Sequence, residues 1–513
     1  MKNKILLIFI FFLCLYLPAT TQQHDYNWIF GVYSYPDEEN TNGNILNFVA
    51  DTVSISIYEK NDQMQFYSTT YSDAAGKLRF WSNGCELFDA DANIMDNGDT
   101  LNPGLIYEAF CSEGESLGYL GPHQSMLSLP NLNDDRYVFV FHTWVPWNSL
   151  ITPFELKYSI VDMEANEGLG SVIEKGTFLE TNVSIGLLAA TKSLDLSSWW
   201  IVCPERNTPN HFIFQLEGDS VYDAKVYDQG FELTDDNASS SASAFSPDGT
   251  KYAIFGEENG LRIYDFDRAA GELSNYQYIE APGDYSDGWV GLDFSSSGRF
   301  LYTCHFRKIY QYDMNAENIG ASRVTVADWI EHADPFFSFV PTPFFKMQRA
   351  PDCRIYLSAQ NGTKTMHVIH YPDRKGTACM VQQNITIPAY NFMTLPNFPN
   401  YRLDTGEVCD STKVFPMGLL NTATATAIPL DFDLNVFPNP STGVFNIVIG
   451  QQLSAPLNFS LSTLDGRKVF QQKIERYQDA ETFDFSHLPI GMYIYTFTYE
   501  NRIAKTEKIV LIR

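Results

Sequence analysis

The nine histidines of the chain are the first residues to test for chemistry, and they are scattered. His142, His305, His332 and His370 fall in no HxH or HExxH spacing, the patterns that put two imidazoles on one face for a metal. Each reads as a packed or hydrogen-bonded sheet residue. DADANIMDNGD (Asp89 to Asp99) places side-chain oxygens at alternate positions, as a calcium loop begins. Such a loop needs glycine where Ile94 stands and a bidentate glutamate where Thr100 stands, so the pattern fails. There is no glycine-rich phosphate loop. No catalytic residue, metal ligand or cofactor is therefore assigned.

Aromatic loops are the better lead. FHTWVPWNS puts Trp144 and Trp147 directly after a strand, with Pro146 between them to stop the strand and hold the loop extended. Exposed indoles there form a ligand platform for sugar rings or protein side chains; buried ones only plug the loop. DPFFSFVPTPFF adds Phe336, Phe337 and Phe339 in a second loop. FSPDGTKY resembles the Asp-box turn of sialidase-like propellers, but Asp248 and Gly249 are adjacent where that motif separates them. It reads as a hairpin turn.

These loops must be carried by strands. Short runs of Val, Ile, Tyr, Phe and Trp are cut by Asp/Asn/Ser/Gly turns along most of the chain, the pattern of an all-β fold. FSPDGTKYAIFG (Phe245 to Gly256) and FSSSGRFLYTCH (Phe294 to His305) begin 49 residues apart and share strand, glycine turn and strand. Looser copies start at Tyr71, Leu129, Leu194 and Arg349. Six hairpins at such spacing predict four-stranded propeller blades, each burying a face on its neighbour. Seven blades are expected over residues 23–405, with six as the alternative. Closure by a strand from each end of the domain would use NWIFGVYSY (Asn27 to Tyr35) and the region up to NFPNYRL (Asn397 to Leu403).

The start of the chain sets a compartment. Lys2 and Lys4 precede the apolar run ILLIFIFFLCLYL, and PATTQQ follows, as in a secretory signal over residues 1–22 cut between Ala19 and Gln23. FFLC lacks the small residues that lipid attachment at Cys14 requires. No later run is long and apolar enough for a transmembrane span in the mature chain. The net charge of −28 argues against nucleic acid as a partner. Seven cysteines remain after Cys14, without a CxxC pair, which favours one or two disulfides and some buried thiols over zinc. Cys85 and Cys111 are expected to pair around MDNGDTLNPG.

Alternation lapses over residues 406–431, a linker rich in small polar residues. It returns over 432–513 as about seven short strands, a small Ig-like β-sandwich. Pro438 and Pro440 end its first strand because proline has no N–H for a ladder; Asn439 tolerates the turn, and Gly443 lets the chain reverse. Asp465-Gly466 is a tight hairpin turn.

VFPNPSTGVFNI, LSTLDGRKV, FDFSHLPIGMYIYTF and the closing KIVLIR together resemble the C-terminal sorting domain of type IX secretion cargo in Bacteroidetes. Pro438, Asn439, Pro440, Gly443, Asp465, Gly466, Leu488, Gly491, Tyr493 and Lys508 carry the resemblance. It implies recognition by the outer-membrane translocon and processing by a sortase-like peptidase, hence a secreted or outer-surface protein. Residues 27–410, with NWIFG, HQSMLSLPN, FFKMQRAPDCRIYLSA and LPNFPNYRL, resemble secreted WD40-like propellers of the same bacteria. That family brings fold and location but no catalytic residues. Cys353 stands where glycine is common in such repeats, which points to a disulfide there. Two functions follow: a binding module for a glycan or protein ligand, or a hydrolase or lyase with carboxylates converging at the central channel.

Overall fold

The computed structural model describes residues 22–31, 42–49, 52–59, 64, 67–112, 118–121, 123–147, 153–184, 186–228, 230, 241–256, 259–282, 290–331, 340–404, 409, 434–449, 457–463, 467–474, 480–499 and 502–512. The expected signal segment before residue 22, Phe336, Phe337, Phe339, Asp465, Gly466 and nearly all of the 406–431 linker lie outside them. The chain forms two compact units, Met1–Val414 and Phe415–Arg513.

Among the described residues, unit one holds seven antiparallel sheets in chain order. Blade 1 has strands Asn27–Phe30, Asn42–Asn47 and Ser54–Glu59, and blade 2 has Thr69–Ser72, Leu78–Ser82 and Leu87–Asp89. Blade 3 runs Met126–Pro130, Tyr137–Trp144, Glu155–Asp162 and Ser171–Thr181; blade 4 runs Ala189–Lys192, Ser198–Pro204, Asn210–Glu217 and Ser220–Asp228. Blade 5 is Ala242–Phe245, Lys251–Gly256, Gly260–Asp267 and Glu272–Ile279, and blade 6 is Val290–Phe294, Phe300–His305, Lys308–Asp313 and Val324–Asp328. Blade 7 closes the set with Phe344–Arg349, Ile355–Ala359, Gly362–Ile369 and Val381–Phe392. First strands touch between blades 1, 2 and 3 and between blades 4, 5, 6 and 7, as in a propeller whose first strands line the channel.

Each of the six hairpins visible in the sequence joins the first two strands of blades 2 to 7. A side-chain oxygen caps each turn by accepting the N–H two residues on: Asp73 from Ala75, Asp134 from Arg136, Asp195 from Ser197, Asp248 from Thr250, Ser297 from Arg299 and Asp352 from Arg354. This is the Asx or Ser turn that makes these residue types recur at corners. Gly249 and Gly298 take the positive φ that follows, and Cys353 takes it at +67°. At Gly249 a Cβ would lie 2.3 Å from Thr191 Oγ1, so the glycine is required. Blade 1 lacks such a hairpin because its first two strands are separated by residues 31–41.

Closure differs from the expected strand exchange. Blades 1 and 7 are each built from their own end of the domain. The last strand of blade 7 breaks register between Thr386 and Asn391, and the bulged segment reaches blade 1. There the Asn44 side chain acts as a short strand: its Nδ2–H donates to the Ala389 carbonyl at 3.0 Å, and its Oδ1 accepts the Ala389 N–H at 2.9 Å. The segment of residues 393–403 joins no sheet. Pro396 and Pro399 deprive it of ladder donors, the physical reason that the strand expectation fails.

Unit two packs two sheets face to face. One contains Leu434–Phe437, Val444–Ile449 and Ala480–Asp484; the other orders Lys468–Ile474, Leu457–Thr463, Gly491–Tyr499 and Arg502–Leu511. Phe445, Ile447 and Phe483 from the first meet Phe459, Phe497 and Ile509 from the second in one buried core. Among the described residues of the chain, no helix is long and apolar enough to cross a membrane.

Candidate functional site

The channel of the propeller contains the chain's own tail, residues 393–404. Asn397 Nδ2–H donates to the Met126 and Leu188 carbonyls at 3.1 and 2.9 Å, on blades 3 and 4. The Tyr401 hydroxyl donates to the Ser128 carbonyl at 2.6 Å, and Asn400 donates to the Pro247 carbonyl at 2.7 Å beside blade 5. On the opposite side Phe398 packs its ring on Trp28 of blade 1, and Lys346 of blade 7 donates to the Leu395 carbonyl at 2.7 Å. A segment bonded to first strands all round the ring can only run through its middle. Between this plug and blades 3 to 7 there remains a cavity of about 30 Å³, on the scale of one water molecule.

The plug is held by unusual donors. Lys192 donates to the Tyr401 carbonyl at 2.5 Å. Burial lowers the Lys346 ammonium to about 7 and that of Lys192 to about 8. At the channel mouth Arg402 forms a two-pronged ion pair with buried Asp25, and Arg268 pairs with Asp404 at 2.6 Å. Cys353 is bonded to Cys409, which bolts the tail to the turn of blade 7. A mouth cavity of about 310 Å³ is flanked by Asp248, Arg349, Arg402 and Asp404. Its carboxylates are engaged: Asp248 accepts from Ser246 and Thr250, and Asp404 from Arg268.

The aromatic loop sits on the rim between blades 2 and 3. Trp147 is 63% exposed. Trp144 is half-buried rather than exposed: its indole N–H donates to the Pro103 carbonyl at 2.7 Å, and the Lys157 ammonium lies 5.0 Å from its ring centroid. Gly104 lies against that indole with φ +132°, a backbone conformation that favours glycine. The short helix Leu105–Phe110 follows, with Leu105 58% exposed. Cys85 and Cys111 are bonded across its base, S–S 2.02 Å. Tyr119 supports the loop beyond the strand by accepting the Val145 N–H at 3.1 Å.

His142 lies below this rim, fully buried, with Nδ1 2.8 Å from Asn102 Oδ1 and Nε2 3.2 Å from Ser159 Oγ. Asn102 Oδ1 accepts and Ser159 donates, a pattern met by the neutral ring, and burial holds its pKa down at about 3. His305 stacks on Tyr310, and His370 pairs with Gln382; His332 is outside the described residues. Among the described residues no three His, Cys, Asp or Glu side chains converge as a metal would need. GESLG (Gly114 to Gly118) has the letters of a GxSxG nucleophile elbow. An elbow sits between a strand and a helix. Here a helix precedes it and no helix follows among described residues 118–147, so the letters lack their setting. Cys203, Cys304 and Cys379 are buried free thiols.

In unit two, the first strand ends at Phe437 and Pro438 follows. Asn439 does more than tolerate the corner: Nδ2–H donates to the Lys508 carbonyl at 2.7 Å, and Oδ1 accepts the Val510 N–H at 3.0 Å. Ser441 continues this as a parallel bridge to Leu511, after Pro440. Gly443, at φ +116°, packs so closely that a Cβ would lie 2.5 Å from Ser486 Cα. Leu488 packs on the core, and the Tyr493 hydroxyl donates to the Pro489 carbonyl at 2.9 Å. Gly491 opens the strand of Tyr493, and Lys508 points outward, exposed.

Several solved structures are similar to the chain at a low level. A Bacteroides uniformis protein provisionally named a 6-phosphogluconolactonase is 14% identical over 73% of this chain and 99% of its own, with a TM-score of 0.44. Hydrazine synthase of Kuenenia stuttgartiensis is 11% identical over 60% and 77%, TM-score 0.31, and the Dos1 propeller 9% over 64% and 85%, TM-score 0.30. Likeness at this level transfers no activity. A comparison with curated proteins finds no match. Residues 435–512 match the family model of the secretion system C-terminal sorting domain. The motif residues around Asn439, the sandwich they brace and this match agree: the chain is a β-propeller carried as type IX secretion cargo, to be released or anchored at the cell surface.

Proposed function

We propose that the exported propeller is a binding module for a glycan or protein ligand, with the Trp147 rim as its contact. The observation that carries this reading is the occupied channel. A propeller enzyme gathers groups from several blades at its centre, and here that centre holds Asn397, Phe398 and Tyr401 of the chain's own tail. The rim supports the reading from the other side: an indole that is 63% exposed is a surface that gains by being covered. Export places that rim among extracellular glycans and surface proteins, and handling by the translocon and a sortase-like peptidase precedes any binding.

The test is a glycan array and a capture experiment on surface proteins with the mature chain, repeated on Trp147→Ala. A ligand held by the parent and lost by the variant supports the rim. A ligand held equally by both removes Trp147 from the site. Turnover of a glycan or peptide by the intact protein replaces the binding reading with the hydrolase or lyase alternative.

A further inference from the structure

The outer face of the last hairpin is apolar where a solvated sandwich should be polar. Met492 pairs with Val510 and Gly491 with Leu511, so Ile490 and Ile512 come opposite each other by the same register. Side chains two apart share a face. Leu511, Ile509 and Tyr493 therefore point into the core, while Ile490, Met492, Val510 and Ile512 point out. Ile490 is 61%, Ile512 45% and Met492 40% exposed. Lys508 continues the same outward row, paired with Ile494. Farther across the sheet the outward positions turn polar, with Ser460 and Ser462 on the neighbouring strand.

Two more features bear on what covers this face. The bonds from Asn439 to Lys508 and Val510 occupy the outer edge of the last strand here, so a partner meets a fixed face rather than a free ladder. Residues 502–513 contain Arg502, Lys505, Lys508 and Arg513 against Glu507, in a chain of net charge −28. The last hairpin is thus a basic, apolar segment of an acidic protein.

We propose that Ile490, Met492, Val510 and Ile512, with Lys508 at their border, form the docking face of the sorting domain. Its occupant is a protein of the secretion apparatus presenting an apolar cleft with an acidic rim. The inference rests on the sorting role of residues 435–512 and specifies the surface that performs it. Burial of the apolar row supplies affinity, and Lys508 supplies orientation against carboxylates.

The experiment compares full-length chains in the producing bacterium. Met492→Asp with Ile512→Asp should lower the secreted fraction at least tenfold, with the chain retained in the periplasm. Lys508→Glu should lower it less, and Ser460→Asp, on the same sheet away from the patch, should leave it unchanged. Thermal unfolding of the purified chains checks folding. If the double variant is unfolded, Ile490→Ser carries the test, because that residue precedes the strand. Normal secretion of folded Met492→Asp/Ile512→Asp overturns the docking face. Normal secretion of a chain lacking residues 432–513 overturns the sorting role itself, a separable outcome. A parent that is dimeric by light scattering and a double variant that is monomeric would assign the face to a second copy and overturn the proposal. Binding of the parent to anionic lipid vesicles, lost in Lys508→Glu, would assign it to a membrane and do the same.

Discussion

Asn439 and Val510 are joined by a hydrogen bond of 3.0 Å from the Val510 N–H to Asn439 Oδ1, across 71 positions of sequence. With the 2.7 Å bond from Nδ2 to the Lys508 carbonyl, the amide pairs with the closing strand as a backbone unit would. No other side chain of similar size carries a donor and an acceptor so spaced, which is why asparagine stands between the prolines. Asn439→Asp keeps the acceptor and loses the donor; Asn439→Ala loses both. At a solvent-exposed site each bond contributes about 1 kcal/mol, so Asn439→Ala should cost about 2 kcal/mol and Asn439→Asp roughly half that. Urea unfolding of unit two, followed by a probe on that sandwich, measures both. Equal stability of Ala and parent would show that the amide is only a turn former.

Removing the plug's grip should loosen the ring. Asn397→Ala leaves the buried Met126 and Leu188 carbonyls without this donor, a change of about 2 to 4 kcal/mol. Tyr401→Phe removes only the bond to the Ser128 carbonyl and should cost about 1 kcal/mol. Denaturant midpoints of the propeller transition would rank the two. If both variants match the parent, the tail does not brace the blades.

Those contacts mark the boundary of what the sequence could disclose. The six capped turns were legible because Asp73, Asp248 and their equivalents bond within a few residues of themselves. Blade 1 was not, since residues 31–41 separate its first two strands where the other blades have a short turn. The plug depends on bonds between Asn397 and residues more than 200 positions away. Only Pro396 and Pro399 hinted that the segment was no strand. Likewise, the turn role of Pro438 and Pro440 was readable, whereas the reach of Asn439 to the last strand was not. The partial burial of Trp144 follows from its contacts with Pro103 and Gly104, about 40 positions earlier, which no local pattern foretells.

The Cys353–Cys409 bond closes a loop across a separation of 56 residues. On the chain-entropy model a loop of that length contributes about 4 kcal/mol by restricting the unfolded chain. Cys409→Ser should therefore lower the propeller's unfolding free energy by up to about that amount and expose the tail to protease near Asp404. Non-reducing peptide mapping checks the bond, and unfolding in the presence and absence of reductant checks its effect. The Cys85–Cys111 bond, with a separation of 26, should contribute about 3 kcal/mol on the same model. Stability indifferent to reductant would sink both estimates.

Trp147→Ala should separate binding from folding. At 63% exposure the ring contributes little to the core, so the melting temperature should move by less than about 2 °C. A stacked indole contributes about 0.5 to 1.5 kcal/mol beyond its area, so ligand affinity should drop roughly threefold to tenfold or more. Trp144→Ala should behave differently, because it also loses the Pro103 hydrogen bond and the contact with Lys157. A large melting shift for Trp147→Ala without a binding defect would mark the ring as structural.

The propeller should be most stable at alkaline pH. Burial holds His24 at about 4 and His142 and His211 at about 3, against 6.5 for an exposed imidazole. Below pH 6.5 the unfolded chain therefore takes up protons that the folded chain refuses, and stability falls on acidification. His142 and His211 should each remove about 3 kcal/mol by pH 4. Lys346 and Lys192, at about 7 and 8 against 10.5, extend the same slope upward: between pH 7 and 10 the unfolded lysines are protonated while the folded ones shed their protons. Asp293, raised by burial, opposes this trend on the acid side, and the thiols of Cys203, Cys304 and Cys379, raised by burial, oppose it near pH 9, where the unfolded thiols ionise first. Above about pH 9 the sign reverses, because burial also keeps Tyr67, Tyr252 and Tyr356 protonated in the folded state after the unfolded tyrosines ionise. Melting temperatures from pH 4 to 11 should thus climb to a maximum at about pH 9. Lys346→Met should flatten the rise above pH 7 without altering the acid limb. A maximum near pH 6, unchanged by that substitution, would mean that the plug's lysines remain charged and are satisfied where they sit.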